Sequence, residues 1–413
     1  MVQWLKGWAL KSIVRGAGAL LRAFLLLRQK AELPVRSWPR PTGEFQVGTR
    51  DIVIAAGGRP ILARLWIPGR PPVGARSRPL HSKAEAHAIS QGMNGLLPDF
   101  AWQQIGATST ASYEDFTPLG RWPLVVFSHG LGGVLSQNTH LCEELASHGY
   151  AVASLSHPDG AAATVFPDGQ IIALRPQDRY ALMANPRTIK SNARLRKCKN
   201  SDQRRELTRR HAGMEPLNSL NEAWSQRISA VMDHLLSSVE DPYLRCIDPT
   251  RIAVIGMSFG GSASALAAHR DMRVSAAINL DGFQFGEDLF EQDIRCPLLL
   301  VHSRAARTAD GGTVNDFHYQ RSAGPSAAVV RRYILDQAGH LSFTDMALFG
   351  GPVLRKVMGT GGLSPQETIM ATDQLVLDFL DSHLKGRQMP GSQTSCINAN
   401  VKPIFASPRR SAA

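Results

Sequence analysis

The pattern of apolar and polar positions changes character near residue 122. Before it, two short strand patterns, Asp51-Ile-Val-Ile-Ala55 and Ile61-Leu-Ala-Arg-Leu-Trp-Ile67, flank Gly57-Gly58 and predict an antiparallel hairpin. Residues 68–120 show no sustained period and read as irregular, with Leu96, Leu97, Phe100 and Trp102 as a local apolar cluster. From there on, apolar runs alternate with helical patterns. Pro123-Leu-Val-Val-Phe127 is the continuous run expected of a strand covered on both faces. Residues 138–148 predict a helix closed by Gly149, and Tyr150-Ala-Val-Ala-Ser-Leu155 predicts the next strand. Further strands are expected at 252–255, 274–280, 297–302 and 330–335. Helices are expected at 226–237, where Ile228, Val231, Met232 and Leu235 share a face, and at 366–384, between Pro365 and Gly386. Such alternation implies an α/β fold with a mostly parallel central sheet and helices on both faces.

Residues 160–225 break the alternation. They are long, polar and basic, and read as a helical insert, a cap on the rest. The expected organisation is a basic amphipathic segment and Pro-rich linker over 1–44, one α/β domain over 45–387, and a disordered tail over 388–413. A length of 413 residues with 43% hydrophobic content suits one large decorated domain. The cysteines at 142, 198, 246, 296 and 396 are scattered, with no C-x-x-C pair. That argues against a disulfide framework and against a Cys-ligated zinc site. No N-x-[ST] sequon occurs. Together these favour a reducing, intracellular compartment over secretion.

The net charge of +12 is concentrated in two segments. Residues 1–30 hold six Lys/Arg and no acid, and residues 187–211 hold ten against Asp202 and Glu206. Together they exceed the net charge, so the remaining body is slightly acidic. Neither segment interleaves aromatics as a nucleic-acid reader does, and no nucleic-acid partner is expected. Peripheral contact with an anionic membrane suits them better. At the N-terminus Lys11, Arg15 and Arg22 share a helical face opposite Leu10, Ile13, Leu20, Leu21 and Phe24. Arg22 interrupts any signal-peptide core, and the ~20 apolar residues of a membrane span are absent. Three readings stay open: an interfacial amphipathic helix on a cytoplasmic or membrane-associated protein, a cleaved, mitochondrial-type presequence, and a frayed tail without a role.

The chemistry centres on Arg251-Ile-Ala-Val-Ile-Gly256-Met257-Ser258-Phe259-Gly260-Gly261. An apolar run ends in G-x-S-x-G, and small helix-forming residues follow. This is the pattern of a nucleophile elbow, with a serine on a sharp turn between a buried strand and a helix, and it points to an α/β-hydrolase fold. Gly256 and Gly260 are expected where a Cβ would collide with a neighbouring strand or helix. A serine nucleophile needs a base, an acid to orient it, and N–H donors for the oxyanion. In this fold the acid precedes the histidine, and both follow the serine. His340, in Gln337-Ala-Gly-His-Leu-Ser-Phe343 past the last strand, is the expected base, with His302 its rival. The acid is Asp281, ending the strand 274–280, or Asp310, one strand later. Oxyanion donors are expected from Phe259 and from the loop Ser128-His-Gly-Leu-Gly-Gly133.

These residues resemble the platelet-activating factor acetylhydrolases of the plasma and type II intracellular kind. The resemblance rests on Pro123-Leu-Val-Val-Phe-Ser-His-Gly-Leu-Gly, Glu144-Leu-Ala-Ser-His-Gly-Tyr-Ala-Val-Ala, the elbow, Leu280-Asp281-Gly, and Gly339-His340 with Phe343-Thr-Asp345. It covers about 50–385, with the insert poorly matched. It implies a triad of Ser258, Asp281 and His340, oxyanion donors at Leu131 and Phe259, and no metal or other cofactor. It also implies a phospholipid substrate cleaved at an acetyl, short or oxidised sn-2 acyl group. A broad carboxylesterase of small soluble esters is the alternative enzyme, and a non-catalytic lipid-surface binder the alternative outside catalysis. The chain departs from the family at Met257, where the family has histidine. It departs again at Ser156-His157-Pro158-Asp159, where the family reads Glu-His-Arg-Asp. Both departures are expected on the pocket wall, where they bear on substrate preference.

Overall fold

The computed structural model describes residues 38–56, 59–93, 97–238, 240–319, 329–349, 360–387 and 401–403. The expected hairpin is β1 (Val47–Ala56) against β2 (Arg59–Arg70), in antiparallel register from Val47–Pro68 to Ala56–Arg59. The stretch read as irregular is instead ordered. It carries β3 (Ser77–Pro79), α1 (Lys83–Gly92), α2 (Asp99–Gly106), β4 (Ser109–Tyr113) and β5 (Thr117–Pro118). Helix α1 starts on a reciprocal cap: Ser82 Oγ accepts from the Glu85 N–H, and Glu85 Oε2 accepts from the Ser82 N–H. Its buried face is made partly of Ala86, Ala88 and Gly92, too small to print an apolar period on the sequence.

β6 (Trp122–Ser128), α3 (Thr139–Ser147) and β7 (Ala151–Leu155) follow as expected. The insert holds a small hairpin, β8 (Ala163–Val165) with β9 (Ile171–Ala173), and three helices, α4 (Pro176–Met183), α5 (Pro186–Lys197) and α6 (Ser201–Ala212). Helix α7 (Leu217–Ser237) begins well before the expected residue 226. Its first turns are polar in sequence, but Asn221 is buried there and donates to Phe285 O at 3.1 Å. Then come β10 (Ile247–Met257), α8 (Phe259–Arg270), β11 (Val274–Leu280), β12 (Leu298–Ser303), β13 (Val330–Leu335) and α9 (Pro365–Leu384). The region expected to be a disordered tail supplies a further strand, β14 (Val401–Pro403), antiparallel to β13. The basic segment 1–30 lies outside the described residues.

The strand order is β14-β13-β12-β11-β10-β6-β7-β2-β1-β4-β3, with β5 on β2. The six strands from β13 to β7 are parallel, which makes this an α/β-hydrolase fold. Apolar side chains leave the sheet on both faces. Trp224, Ile228, Val231 and Met232 of α7 cover one with Phe259 and Ala263 of α8, and Leu141, Leu145, Leu375, Val376 and Phe379 of α3 and α9 cover the other. Each such Leu, Ile or Phe contributes about 1.5–3 kcal/mol by leaving water. Strand β10 is therefore held on both edges and both faces, and whatever stands at its C-terminal end is fixed.

Candidate active site

Ser258 stands at that end. Its backbone lies at φ 57°, ψ −122°, a conformation that costs a non-glycine residue about 1–3 kcal/mol. The surroundings enforce it. The Ser258 N–H donates to Leu280 O at 2.7 Å, and α8 starts directly afterwards. A Cβ on Gly256 would lie 2.1 Å from the Gly260 carbonyl carbon, and one on Gly260 would lie 2.2 Å from Ser128 O. Only glycine at both positions lets strand, helix and the loop after β6 close around the serine.

Ser258 Oγ donates to His340 Nε2 at 2.9 Å, and His340 Nδ1 donates to Asp281 Oδ2 at 2.7 Å. His340 sits on the turn His340–Phe343, and Asn138 Nδ2 holds that turn by donating to Phe343 O at 2.5 Å. Asp281, the first residue past β11, has φ 56°, and its N–H donates to Val301 O at 2.8 Å. Its Oδ1 accepts from the Ser303 N–H at 2.7 Å. Burial opposes the ionisation of Asp281, but the imidazoles of His302 and His340 hold its carboxyl well below the usual range. His302 Nδ1 is 3.8 Å from Asp281 Oδ1, beyond hydrogen-bond reach. The structure thus brings together Ser258, Asp281 and His340. Asp310 is elsewhere engaged: Arg204 Nε donates to its Oδ2 at 2.6 Å.

These three residues face a cavity of about 620 Å³, which Leu131, Phe259, Phe283, Phe285 and Leu341 also line. The backbone N–H groups of Leu131 and Phe259 have no acceptor among the described residues. Phe259 opens α8, so its N–H is one of the four a helix leaves unbonded, and the helix end adds positive potential. A Cβ on Gly130 would come within 3.2 Å of Ser258 Cβ, which measures how closely the loop approaches the serine.

Three polar residues that the sequence reading passed over support or line this arrangement. Gln137 Oε1 accepts from the Gly130 N–H at 2.9 Å, and its Nε2 donates to Met257 Sδ at 3.1 Å. The Ser303 N–H fixes the second carboxylate oxygen of Asp281. Arg196, from the insert, lines the cavity. Only Gln137 left a trace in the sequence, as the amide closing a glycine-rich loop.

The departure at 156–159 is not on the pocket wall as expected. His157 is fully buried behind the loop. Its ring stacks on Trp224 with 3.7 Å between centroids, and its Nε2 donates to Ser128 Oγ at 2.7 Å. Arg227 Nη1 donates to His157 Nδ1 at 3.1 Å and to Asp159 Oδ1 at 2.9 Å, and Arg227 Nη2 donates to Asp159 Oδ2 at 3.0 Å. The His157 N–H donates to His129 Nε2, so the His129 ring carries its proton on Nδ1 and donates it to Gly130 O. Burial pushes His129 down to about 4 and His157 well below its ordinary value, so both stay neutral in these roles. The segment braces the oxyanion-side loop from behind. Met257 does line the cavity.

Comparison with known proteins follows the same lines. The sequence model of the family described as "Platelet-activating factor acetylhydrolase, isoform II" matches residues 32–396. A curated platelet-activating factor acetylhydrolase from Gallus gallus is 27% identical over 279 residues, covering 65% of this chain and 64% of that protein. The Cavia porcellus protein of the same name is 26% identical over 369 residues, covering 86% and 81%. Among solved structures, a ferulic acid esterase from Streptomyces cinnamoneus superposes with a TM-score of 0.67 at 24% identity. That match covers 90% of this chain and all of that one, and it bears on the fold alone.

Proposed function

The chain belongs to the platelet-activating factor acetylhydrolase isoform II family, and on that premise we propose that it is a serine esterase cleaving an acetyl, short or oxidised sn-2 acyl group from glycerophospholipids. One observation carries the reading: the unbroken bond chain Ser258–His340–Asp281 at a mainly apolar cavity that also receives two unbonded N–H groups.

In this reaction Ser258 Oγ attacks the ester carbonyl carbon while its proton passes to His340 Nε2. The carbonyl electron pair moves onto oxygen, where the Leu131 and Phe259 N–H groups receive the charge, each such donor being worth about 10²–10³ in rate. Collapse of the intermediate breaks the acyl C–O bond. Nε2 returns the proton to the departing sn-2 oxygen, leaving a lysophospholipid and an acyl-serine. Water, deprotonated by the same nitrogen, then releases the carboxylic acid and restores Ser258. Asp281 keeps the proton of His340 on Nδ1, so that Nε2 presents its lone pair to the serine.

We propose further that the insert meets an anionic membrane. Ile171, Tyr180, Met183 and Ile189 are 45–59% exposed there. Arg187, Lys190, Arg194 and Lys197 of α5 are exposed and carry no ion pair among the described residues. The cations of α6 differ: Arg205, Arg209 and Arg210 pair with Glu291 and Glu206.

The test is release of acetate from a 1-alkyl-2-acetyl-glycerophosphocholine, with a series of longer sn-2 chains, by wild type and by Ser258→Ala. A fluorophosphonate probe run in parallel should label wild type only. Turnover confined to small soluble esters favours the broad carboxylesterase. Neither labelling nor turnover favours a lipid-surface binder.

A further inference from the structure

Helix α5 carries Thr188, Asn192 and Arg196 four residues apart, on one face, and all three line the cavity that holds Ser258. The helix is anchored beside that face, with Leu195 buried against Ala306 and Val314, and Arg196 O accepts from the Ala309 N–H at 2.9 Å. The face is therefore held toward the cavity. Arg196 Nε donates to Asn192 Oδ1 at 2.8 Å, and among the described residues neither terminal nitrogen of the fork has an acceptor. No carboxylate lies within ion-pair distance of it among the described residues, whereas Arg204 on the next helix has Asp310 and Asp316. Asp281 is the anion whose charge it feels, but both Asp281 oxygens already hold partners, His340 and the Ser303 N–H. Thr188 Oγ1 is buried with no hydrogen-bond partner among the described residues. His211, also on the cavity, is bonded through Nδ1 to Ser191 Oγ at 2.9 Å. Burial and the Arg196 charge hold it down to about 4, so at neutral pH it brings no second cation.

A guanidinium turned into an apolar cavity without a counter-ion is costly, and a ligand oxyanion would relieve that cost. We propose that Arg196, oriented by Asn192 and assisted by the Thr188 hydroxyl, is an oxyanion-recognition subsite that selects esters carrying a phosphate or carboxylate oxyanion for attack by Ser258. This rests on the esterase reading. The anion is either the phosphodiester of the headgroup or a terminal carboxylate on an oxidatively shortened acyl chain, and both fit a bidentate fork.

The experiment compares wild type, Arg196→Gln and Arg196→Lys on three soluble substrates. These are a short-chain phosphatidylcholine below its micellar concentration, a p-nitrophenyl ester of a dicarboxylic acid with one free carboxylate, and neutral p-nitrophenyl butyrate. The quantity read is kcat/KM for each oxyanion-bearing ester divided by that for p-nitrophenyl butyrate. R196Q should lower this ratio by about 10- to 100-fold, mainly through KM, and R196K should restore part of it. A fall confined to the phospholipid assigns the phosphate, and one confined to the free-carboxylate ester assigns the acyl terminus. An unchanged ratio in both folded variants overturns the subsite while leaving the esterase standing. If wild type hydrolyses none of the three, the esterase reading falls and takes this inference with it.

Discussion

Gln137 Nε2 donates to Met257 Sδ at 3.1 Å, across the residue that precedes the nucleophile. Through its other end the same amide accepts from the Gly130 N–H, so elbow and oxyanion-side loop share one spacer. Removing it leaves the Gly130 N–H unbonded, so that the Leu131 N–H beside it is less firmly placed. Gln137→Ala should therefore lower kcat on a soluble ester by about 10- to 100-fold, a fraction of what losing a whole donor costs. KM and thermal stability should change little. Met257→His offers the amide a stronger acceptor than sulfur and should keep kcat within a few-fold. Steady-state kinetics of the two variants check both.

Asp281→Asn should reduce kcat by about 10⁴, because the amide favours the wrong tautomer of His340. Asp310→Ala should leave turnover in place while lowering the melting temperature. It strands the Arg204 guanidinium, itself 3% exposed, with Asp316 as its remaining ion-pair partner. An inactive Asp310→Ala beside an active Asp281→Asn would exchange the two assignments.

A pH dependence of stability follows from the first hairpin. Arg64, 2% exposed, donates from Nε and Nη2 to Asp51 at 2.6 and 3.0 Å, and Arg78 reaches the same carboxylate at 2.8 Å. Burial opposes the charge on Asp51, but the two guanidiniums hold its carboxyl down to about 2. A folded value below the unfolded one stabilises the fold fully above about pH 5, and the contribution is lost as pH falls through about 2. About 2 kcal/mol is involved. Urea melts of wild type and Asp51→Asn should differ at pH 6 and converge only below about pH 2. A pH-independent gap would refute the account.

Salt-sensitive binding to vesicles containing anionic lipid, with none to neutral vesicles, is expected at low ionic strength. Each basic residue near such a surface contributes about 1 kcal/mol, and that falls away within a Debye length. Replacing Arg187, Lys190, Arg194 and Lys197 together by Gln should abolish the co-sedimentation if α5 is the contact. Deleting residues 1–30 isolates the other basic segment. Binding that ignores salt would remove the electrostatic basis of the proposal.

The parallel half of the sheet was legible because strands buried on both faces must be apolar throughout, and because Gly256-Met-Ser-Phe-Gly260 can serve few purposes other than an elbow. Ser258 and His340 were legible through their stations at strand ends, whereas position alone left Asp281 and Asp310 open and only the family resemblance chose Asp281. What escaped reading shares one cause, namely that its partners are far apart in sequence. Asn221 is a polar letter in a helix until it meets Phe285 O, and Gln137 is a loop amide until it meets Met257. His157 was assigned to the wrong side of its loop because the sequence carries no sign of Trp224 stacking on it.

The backbone bonds at the site run as a staircase, from the Ser258 N–H to Leu280 O, and from the Asp281 N–H to Val301 O. Nucleophile and acid are thus consecutive treads fastened to adjacent strands, and neither can shift without unzipping the sheet. His340 belongs to no strand. Its side chain is 43% exposed and hangs from a single short turn. In the proposed reaction only the imidazole must serve two oxygens in succession, first that of the serine and then that of the departing alcohol. The exposed member of the three is thus the one that must face both oxygens, while the two that carry no proton between them are locked into the sheet.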